Sequence, residues 1–258
     1  MSIIHAYDPE RTAVINSWDF LEKQPRKLDA CIFNFSWKIM DALLDDGLLE
    51  LIDEDTIRCV SCNFPVYVLK GTNIGVVKTY VGAPMTCGLI EDLSYAFSCD
   101  KIILFGSCGG LDKEQTYGRL IVPTHAYRDE GMSYHYAPAA DYIDIKNHDV
   151  VAAVFEKLNI PYIKGRSWTT DAFLRETRRN MERRKAEGCI AVDMELSAAQ
   201  AVADYRDLKL YAFLYSADNL DHSQWDHGIL SDISLDERLL HFRIALEIAK
   251  YVTEDTHE

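Results

Sequence analysis

Short apolar runs alternate with longer amphipathic stretches along most of this chain. The clearest run is the segment 101–111, in which four apolar residues follow Lys101 before a cluster of glycines. An unbroken apolar run of this kind predicts a strand that is buried on both faces, as in a parallel sheet. Further strands are predicted at 28–35, 120–126, 162–168, 190–194 and 208–216, with β-rich segments at 56–69 and 75–80. Helices are predicted at 38–49, 86–97, 150–158, 175–187, 195–205 and 235–252.

The order of these elements predicts the class of fold. Strands that alternate with helices are typical of an α/β protein, in which helices cover both faces of a sheet. No linker rich in Pro, Gly or Ser, no internal repeat and no low-complexity segment interrupts the pattern. We therefore expect one domain over residues 1–258.

A cluster of small residues follows the central apolar run directly. Because glycine has no Cβ, a ligand can approach the backbone of the segment Gly106-Ser107-Cys108-Gly109-Gly110 closely. The free N–H groups and the Ser107 hydroxyl suit an anion, and open α/β sheets bind ligands beyond the carboxyl ends of their strands. The pattern is neither a P-loop nor a dinucleotide fingerprint, so a turn that merely reverses the chain stays an equal alternative.

Charge and cysteine content restrict the partners and the compartment. The net charge of −14 argues against nucleic acid or an anionic membrane surface as the main partner. No apolar run approaches the ~20 residues of a membrane helix, and the N-terminus lacks the apolar core of a signal peptide. The seven cysteines are scattered and odd in number, so we expect reduced thiols in a cytoplasm. Cys59 and Cys62 form a C-x-x-C pair, but no second pair follows at zinc spacing, and we expect no metal site.

Four segments at predicted strand ends together resemble a known family. They are Gly82-Ala83-Pro84, the glycine cluster 106–110, Val192-Asp193-Met194-Glu195 and Ser216-Ala217-Asp218-Asn219-Leu220. They resemble the first glycine loop, the phosphate loop, the Val-Glu-Met-Glu ribose motif and the Ser-Asp-Asn-Leu catalytic loop of the nucleoside phosphorylases, in the branch of bacterial purine nucleoside phosphorylase and uridine phosphorylase. The last segment carries one inserted or replaced residue. The resemblance runs from about residue 28 to the last helix. It implies a three-layer α/β/α domain with a central mixed, partly barrel-like sheet flanked by helices.

The resemblance also implies a role for individual residues. Asp218 is expected to be catalytic, with Arg238 of the last predicted helix assisting it. The other expected contacts are Gly82, Ser107, Lys38 and Arg58 with phosphate, Asp193, Met194 and Glu195 with ribose, and Phe173, Cys108 and Gly109 with the base. Inorganic phosphate would be a co-substrate, and no cofactor or metal is expected.

The chemistry of N-glycosidic cleavage fits two of these carboxyl groups. Breaking the bond builds positive charge on the ribose and negative charge on the departing base. An acid such as Asp218 can then protonate the base, and a carboxylate such as Glu195 can accept from two adjacent sugar hydroxyls. Each residue also has a purely structural alternative. Asp218 suits the cap of the following turn, and Glu195 suits the first turn of a helix, where negative charge is favourable.

The chain departs from the family most strongly at the phosphate site. The family's N-terminal Gly-Asp-Pro-x-x-Arg loop is absent, and residues 34–38 stand in its place, with Lys38 where the arginine would be. A lysine lacks the planar, two-pronged geometry of arginine. The arginine that normally precedes the phosphate loop is replaced by Leu104. One arginine of the family usually comes from a neighbouring subunit, and Arg58 is a loose candidate for it.

These observations lead to one expected activity and three alternatives. We expect a phosphate-dependent nucleoside phosphorylase of nucleotide salvage, acting on a purine nucleoside and assembled as a homo-oligomer (a dimer or a trimer of dimers). The alternatives are a uridine phosphorylase, a hydrolytic nucleosidase of the same fold and a nucleoside-binding protein without catalysis. A hydrolase needs a carboxylate to activate water, for which Asp129 and Glu130 are candidates.

Overall fold

A computed structural model describes residues 2–59, 62–221, 224–230 and 232–254 of the chain. The strands are β1 (Ala30–Asn34), β2 (Leu49–Asp53), β3 (Val66–Leu69), β4 (Ile74–Lys78), β5 (Lys101–Gly110), β6 (Leu120–Asp129), β7 (Tyr142–Asp144), β8 (Tyr162–Thr170), β9 (Cys189–Asp193) and β10 (Lys209–Asn219). The helices are α1 (Trp37–Asp45), α2 (Ala83–Ala96), α3 (Lys113–Thr116), α4 (Ser133–Tyr136), α5 (His148–Lys157), α6 (Arg178–Ala186), α7 (Leu196–Tyr205) and α8 (Leu235–Glu254). Within the described ranges, no helix is both long and apolar enough to cross a membrane.

The strands form one mixed sheet that closes on itself at one end. The order of pairing is β10-β6-β8-β9-β5-β1-β4-β3-β2, and β10 also pairs with β5. The strands β5, β10, β6, β8 and β9 therefore form a closed ring, while β1, β4, β3 and β2 continue as an open sheet. Strand β5 is parallel to β1 and β10 but antiparallel to β9. The expected mixed and partly barrel-like sheet is confirmed.

Helices cover both faces of this sheet. Side chains alternate along β5, so that Ile102 and Leu104 pack into one hydrophobic cluster, and Ile103 and Phe105 pack into another. The first cluster includes the buried faces of α2 and α7, and the second includes those of α1, α5 and α8. The three-layer arrangement expected from the sequence is confirmed.

One predicted helix is too long. The helix predicted at 38–49 ends at Asp45, and residues 49–53 form strand β2 instead. Gly47 explains the ending, because it adopts a φ of +66° and its N–H donates to the carbonyl of Leu44. A glycine in the left-handed conformation just beyond a helix is a common stop signal.

The boundaries near Phe173 also differ from the prediction. The helix predicted at 175–187 begins at Arg178, because the Thr177 side chain caps it by accepting a hydrogen bond from the Asn180 N–H. Residues 173–175 form a separate turn of 3₁₀-helix. A loop therefore carries Phe173 and Glu176 past the carboxyl end of β8.

Candidate active site

A cavity of about 670 Å³ lies where the carboxyl ends of several strands meet. Its wall includes Phe35 after β1, Val81 after β4, Ser107 in β5, Glu195 after β9 and Asp218 in β10. These positions are far apart in the sequence. The strands β1, β4, β5 and β10 run parallel and end at a common edge, and the end of β9 meets the end of β5 through the antiparallel pairing of Val192 with Gly109. The volume is in the range of small-molecule sites.

A β-bulge positions Asp218. Strand β10 pairs in register with β5 until Ser216 lies opposite Cys108, and Asp218 then lies opposite Gly109. Ala217 is therefore an extra residue in β10, and its side chain is buried. The sequence alone left open whether this segment contains an inserted or a replaced residue. The bulge shifts the alternation of side chains by one position, and Asp218 lines the cavity.

The Asp218 carboxyl is half-buried and held by one side chain. The Trp225 indole N–H donates to its Oδ2 at 2.7 Å. Burial raises the pKa of Asp218, while the Trp225 hydrogen bond acts in the opposite direction. A carboxyl with a raised pKa is better able to donate a proton near neutral pH.

Asp193 is buried and organises the residues that follow β9. Its Oδ1 accepts hydrogen bonds from the backbone N–H groups of Glu195 at 2.9 Å and Leu196 at 2.8 Å. Its carboxylate also accepts from the hydroxyls of Ser167 and Thr169. Asp193 therefore caps α7 and fixes the backbone that carries Met194 and Glu195 along the cavity wall.

Glu195 lies in the cavity wall, and its pKa is strongly shifted. Its Oε1 accepts from the backbone N–H of Gly82 at 2.7 Å. Gly82 adopts a φ of +109°, a conformation that side chains rarely permit, so a glycine is required at this contact. Burial raises the pKa of Glu195 to about 8. A mostly buried carboxyl with a single hydrogen bond has acceptor capacity left for a ligand.

Glu176 is a further carboxyl at the cavity, and sequence reasoning missed it. It directly follows the 3₁₀ turn that carries Phe173 and lines the same cavity. Burial, followed by the charges of Asp218 and Asp193, raises its pKa to about 7. Asp193, Glu195, Asp218 and Glu176 together form what we call the carboxylate cluster.

Residues 45–252 match the family model described as the phosphorylase superfamily. This chain belongs to the phosphorylase superfamily. The match covers strands β2–β10 and all the cavity residues named so far except Phe35.

Individual members of the phosphorylase superfamily share a low sequence identity with this chain. A DeoD-type purine nucleoside phosphorylase from Exiguobacterium sp. (strain ATCC BAA-1283 / AT1b) is 22% identical over 187 residues, which are 71% of this chain and 78% of that protein. The structure of purine nucleoside phosphorylase from Toxoplasma gondii in complex with immucillin-H has a TM-score of 0.71 and 17% identity, covering 91% and 98% of the two chains. AMP nucleosidase from Bacteroides thetaiotaomicron has a TM-score of 0.70 and 17% identity, covering 90% and 91%. The structural likeness at these identities concerns the fold.

The residues predicted to bind phosphate do not all lie together. Ser107 is exposed and lines the cavity, whereas Lys38 and Arg58 are exposed elsewhere and do not line it. Leu104 is buried in the hydrophobic core. The N–H of Gly82 already donates to Glu195. The phosphate roles of these residues stay predictions, and Ser107 has the most direct structural support.

Arg238 does not line the cavity, and it contacts the Ser36 hydroxyl rather than the carboxyl of Asp218. Its Nη1 lies 3.4 Å from the Ser36 hydroxyl, and its Nε donates to the Ile233 carbonyl at 3.2 Å. Its charge lowers the pKa of Tyr215, which pairs with Ser107 between β10 and β5, although burial raises that pKa more strongly. We call Ser36, Ser107, Tyr215 and Arg238 the Ser107 cluster. Its elements are adjacent because Tyr215 pairs with Ser107 between β10 and β5, and because the ring of Phe35 packs against Gly106.

A neutral histidine lies behind the Ser107 cluster. The ring of His241 stacks on Tyr215 with a centroid distance of 4.1 Å. Burial, with a smaller contribution from the charge of Arg238, lowers the pKa of His241 to about 4. His241 therefore adds no positive charge near neutral pH.

The residues predicted to contact the base line the cavity, but in different ways. Phe173 is 57% exposed and presents its ring beside the cavity. Cys108 is buried, and its thiol donates to the Tyr215 carbonyl at 3.5 Å. A Cβ at Gly109 would lie 2.6 Å from Leu220 and 2.9 Å from Val192, so this glycine makes room for the chain itself. The base-binding roles stay predictions.

The carboxylates considered for a hydrolytic reaction are bound elsewhere. Asp129 accepts from the Trp168 indole at 2.9 Å, and the buried Glu130 accepts from Ser197 at 2.8 Å and from the Ser133 N–H at 2.9 Å. Neither lines the cavity. Within the described part of the chain, no three His, Cys, Asp or Glu side chains are grouped as metal ligands.

The carboxyl that sequence reasoning missed had one signal in the sequence. Glu176 lies three residues after Phe173, which was predicted to stack on the base.

Proposed function

We propose that this chain cleaves the N-glycosidic bond of a purine nucleoside with inorganic phosphate, releasing the free base and ribose 1-phosphate. The observation that carries the proposal is that Asp218 and Glu195 face one cavity that also contains Ser107. An acid for the base, an acceptor for the sugar hydroxyls and a hydroxyl for the anion are the groups that this reaction needs.

In this mechanism two members of the carboxylate cluster, Asp218 and Glu195, bind the nucleoside. Asp218 donates a proton to the departing base, and its raised pKa favours the protonated form. Glu195 accepts hydrogen bonds from the ribose hydroxyls and orients the sugar. Met194 packs against the sugar, and Phe173 stacks on the base.

The Ser107 cluster binds phosphate in the same mechanism. Arg238 supplies a positive charge, and the hydroxyls of Ser36 and Ser107 supply hydrogen bonds. A guanidinium is well suited to phosphate because its planar donors match two oxygens at once. This role replaces the assistance to Asp218 that the resemblance implied for Arg238.

A base-release assay with and without phosphate tests this activity. Purified protein is incubated with inosine, guanosine, adenosine and uridine, and free base and ribose 1-phosphate are separated by chromatography. We expect purine release that requires phosphate and yields ribose 1-phosphate in equal amount. Release of base with free ribose in phosphate-free buffer would refute phosphorolysis.

Hydrolysis is the second candidate, and the charge of the cavity favours it. Four carboxyl groups line the cavity, and among the described lining residues Arg178 is the one cation. Such a wall offers phosphate few positive groups and leaves Glu176, with a pKa of about 7, as a base for water. In the same assay, hydrolysis gives free ribose whether or not phosphate is present.

We further propose that the chain acts as a homo-oligomer. Arg58 is exposed and does not line the cavity of its own chain, as expected for a residue that completes a neighbour's site. Mixing inactive Arg58→Ala and Asp218→Asn subunits would then restore part of the activity. An active, monodisperse monomer in light scattering would refute this proposal.

A further inference from the structure

Cys59 and Cys62 form a pair of thiols that the proposed function leaves without a role. Their Sγ atoms lie 3.5 Å apart, and no disulfide bond joins them. Cys59 is exposed and Cys62 is partly exposed, whereas the other five cysteines of the chain are buried. A thiol reacts with a reagent from solvent only where that reagent can reach it. The Cys59–Cys62 pair is therefore the most accessible place for thiol chemistry in the folded chain.

Two antiparallel segments hold these cysteines opposite each other. Backbone contacts pair three residues of one segment with three of the other, namely Ile57 with Phe64, Arg58 with Asn63 and Cys59 with Cys62. The Cys59 N–H donates to the Cys62 carbonyl at 2.9 Å. Residues in such a hydrogen-bonded pair have Cα atoms about 5.5 Å apart and side chains on the same face. A disulfide bond needs Cα atoms about 4.4–6.8 Å apart, so it can form here without a change in the pairing.

The hydrophobic core fixes both segments. Ile57 is 1% exposed and Phe64 is 4% exposed, and the Phe64 ring meets the Tyr80 ring edge-on at a centroid distance of 5.8 Å. Cys62 itself packs against the same hydrophobic cluster. The two thiols are thus held in contact by buried neighbours. Groups held in this way react with each other far faster than the same groups free in solution.

We propose that Cys59 and Cys62 form a reversible disulfide bond by exchange with a low-molecular-weight disulfide such as oxidised glutathione. The Cys59 thiolate attacks one sulfur of the small disulfide and expels one thiolate, which leaves a mixed disulfide on Cys59. The Cys62 thiolate then attacks the Sγ of Cys59 and expels the second thiolate. The two cysteine protons pass through solvent to the expelled thiolates. Two protein thiols are oxidised, and one small disulfide is reduced to two thiols.

The surroundings of the two sulfurs indicate which one reacts first. Burial is the largest cause of the raised pKa of Cys62, and the neighbouring Cys59 raises it further. A thiol with a raised pKa is a poor nucleophile towards a reagent in solvent. Cys59 is exposed and meets the small disulfide first, and Cys62 needs only to attack a sulfur that is already beside it.

A metal site is the other use of two adjacent thiols. A structural zinc ion is held by four ligands, usually from Cys and His. Among the residues that the structure describes, no three His, Cys, Asp or Glu side chains are grouped so that they could hold a metal ion. Two thiols alone do not complete such a site, and the geometry favours exchange.

Thiol exchange followed by mass spectrometry tests the proposal without a substrate. The reduced full-length protein is incubated with oxidised glutathione, quenched with acid, alkylated and digested with trypsin, which releases both cysteines in the peptide 59–70. We expect this peptide to be unalkylated and two hydrogen atoms lighter, and to return to two alkylated cysteines after treatment with dithiothreitol. The proposal is overturned if both cysteines stay open to alkylation, or if a stable glutathione adduct accumulates on either of them.

Two variants separate this pair from the other cysteines. In Cys62→Ser the second attack is impossible, so the glutathione adduct on Cys59 should be at least about tenfold more abundant than in the wild type. Cys87→Ala is the matched control, because Cys87 is buried in α2, and it should form the same disulfide as the wild type. Equal amounts of the adduct in Cys62→Ser and in the wild type would show that Cys62 does not displace glutathione, which contradicts the proposal. The result is independent of the proposed activity, since no step involves the cavity.

Discussion

The carboxylate cluster lines the cavity and the Ser107 cluster reaches it through Ser107, and these two sides of the site are built on different physical principles. The carboxylate cluster is held by the barrel strands β8, β9 and β10, and most of its members are fixed by hydrogen bonds to neighbouring groups. The Ser107 cluster is assembled from the ends of β1, β5 and β10 and the first turn of α8, and its one cation reaches Ser36 at 3.4 Å. The carboxylate side is thus preorganised in the absence of ligand, whereas the Ser107 side depends on a single arginine.

The charges of the two sides differ in the same way. Burial raises the pKa of Glu195 to about 8 and that of Glu176 to about 7, so these acids hold their protons more strongly. On the other side, burial lowers the pKa of His241 to about 4, so this base is neutral. Both shifts reduce the charge that is buried in and behind the cavity wall.

The largest expected effect comes from the carboxylate side. We expect Asp218→Asn to fold normally and to lose about 10²- to 10⁴-fold in kcat, because an amide cannot give a proton to the leaving base. Base release under saturating substrate, with the thermal midpoint as a control for folding, measures this. Turnover at the wild-type rate would remove Asp218 from the mechanism.

A smaller effect is expected where the sugar is held. At pH 9, where Glu195 with its pKa of about 8 is ionised, Glu195→Gln should raise the KM for the nucleoside about 10- to 100-fold, because one charge-assisted hydrogen bond is worth roughly 1.5–3 kcal/mol. Inhibition by free purine base should change little, since the base does not reach Glu195. An equal loss of affinity for nucleoside and for base would show that Glu195 does not bind ribose.

On the Ser107 side, the contribution of Arg238 to phosphate binding can be tested. Arg238→Met should raise the KM for phosphate about tenfold, because it removes one charge-assisted hydrogen bond of roughly 1.5 kcal/mol. Arg243→Met, an exposed position on the same helix, and Lys38→Met should leave that KM nearly unchanged. A larger effect of Lys38→Met than of Arg238→Met would place the phosphate against α1 and contradict the grouping of Arg238 with Ser107.

The smallest expected effect is on the pH dependence of the free energy of unfolding, which has the opposite sign on the two sides. The raised pKa of Glu195 stabilises the fold fully below its ordinary value of 4.5, and this contribution is lost as pH rises through about 8. The lowered pKa of His241 acts in the opposite sense: its contribution is full above 6.5 and is lost as pH falls towards about 4. Each group changes the free energy of unfolding by about 1 kcal/mol per pH unit between pH 5 and pH 6.

Urea unfolding at several pH values, at one protein concentration, measures these slopes. Relative to the wild type, Glu195→Gln should shift the slope of stability with pH upwards between pH 5 and pH 6, and His241→Gln should shift it downwards. Shifts of the same sign in both variants would contradict the opposite electrostatic character of the two sides.

Much of the fold could be predicted because burial has a local signature. An apolar run such as 101–105 is buried whatever surrounds it, and the alternation of such runs with amphipathic helices already requires a sheet with two covered faces. The errors in the predicted boundaries arose where a single residue ends or begins a helix. Gly47 stops α1 and Thr177 starts α6, and both signals are weaker than the hydrophobic pattern around them.

The candidate site was partly predictable from motifs at strand ends. Asp218, Glu195 and Ser107 all line the cavity, because residues that end neighbouring strands converge at one edge of the sheet. Sequence spacing alone did not decide whether Ala217 was an insertion. The register of β10 against β5 shows that it is a bulge.

Tertiary structure alone decided which charged residues reach the cavity. Lys38 and Glu130 suit an active site as residue types, yet Lys38 is exposed on α1 and Glu130 is occupied by Ser133 and Ser197. Glu176 and the contact of Arg238 with Ser36 come from loops and helices whose direction depends on packing. The hydrophobic pattern determines which segments are buried, because burial depends on the residue itself. The direction of a charged side chain depends on neighbours from distant parts of the chain, and the fold supplies those neighbours.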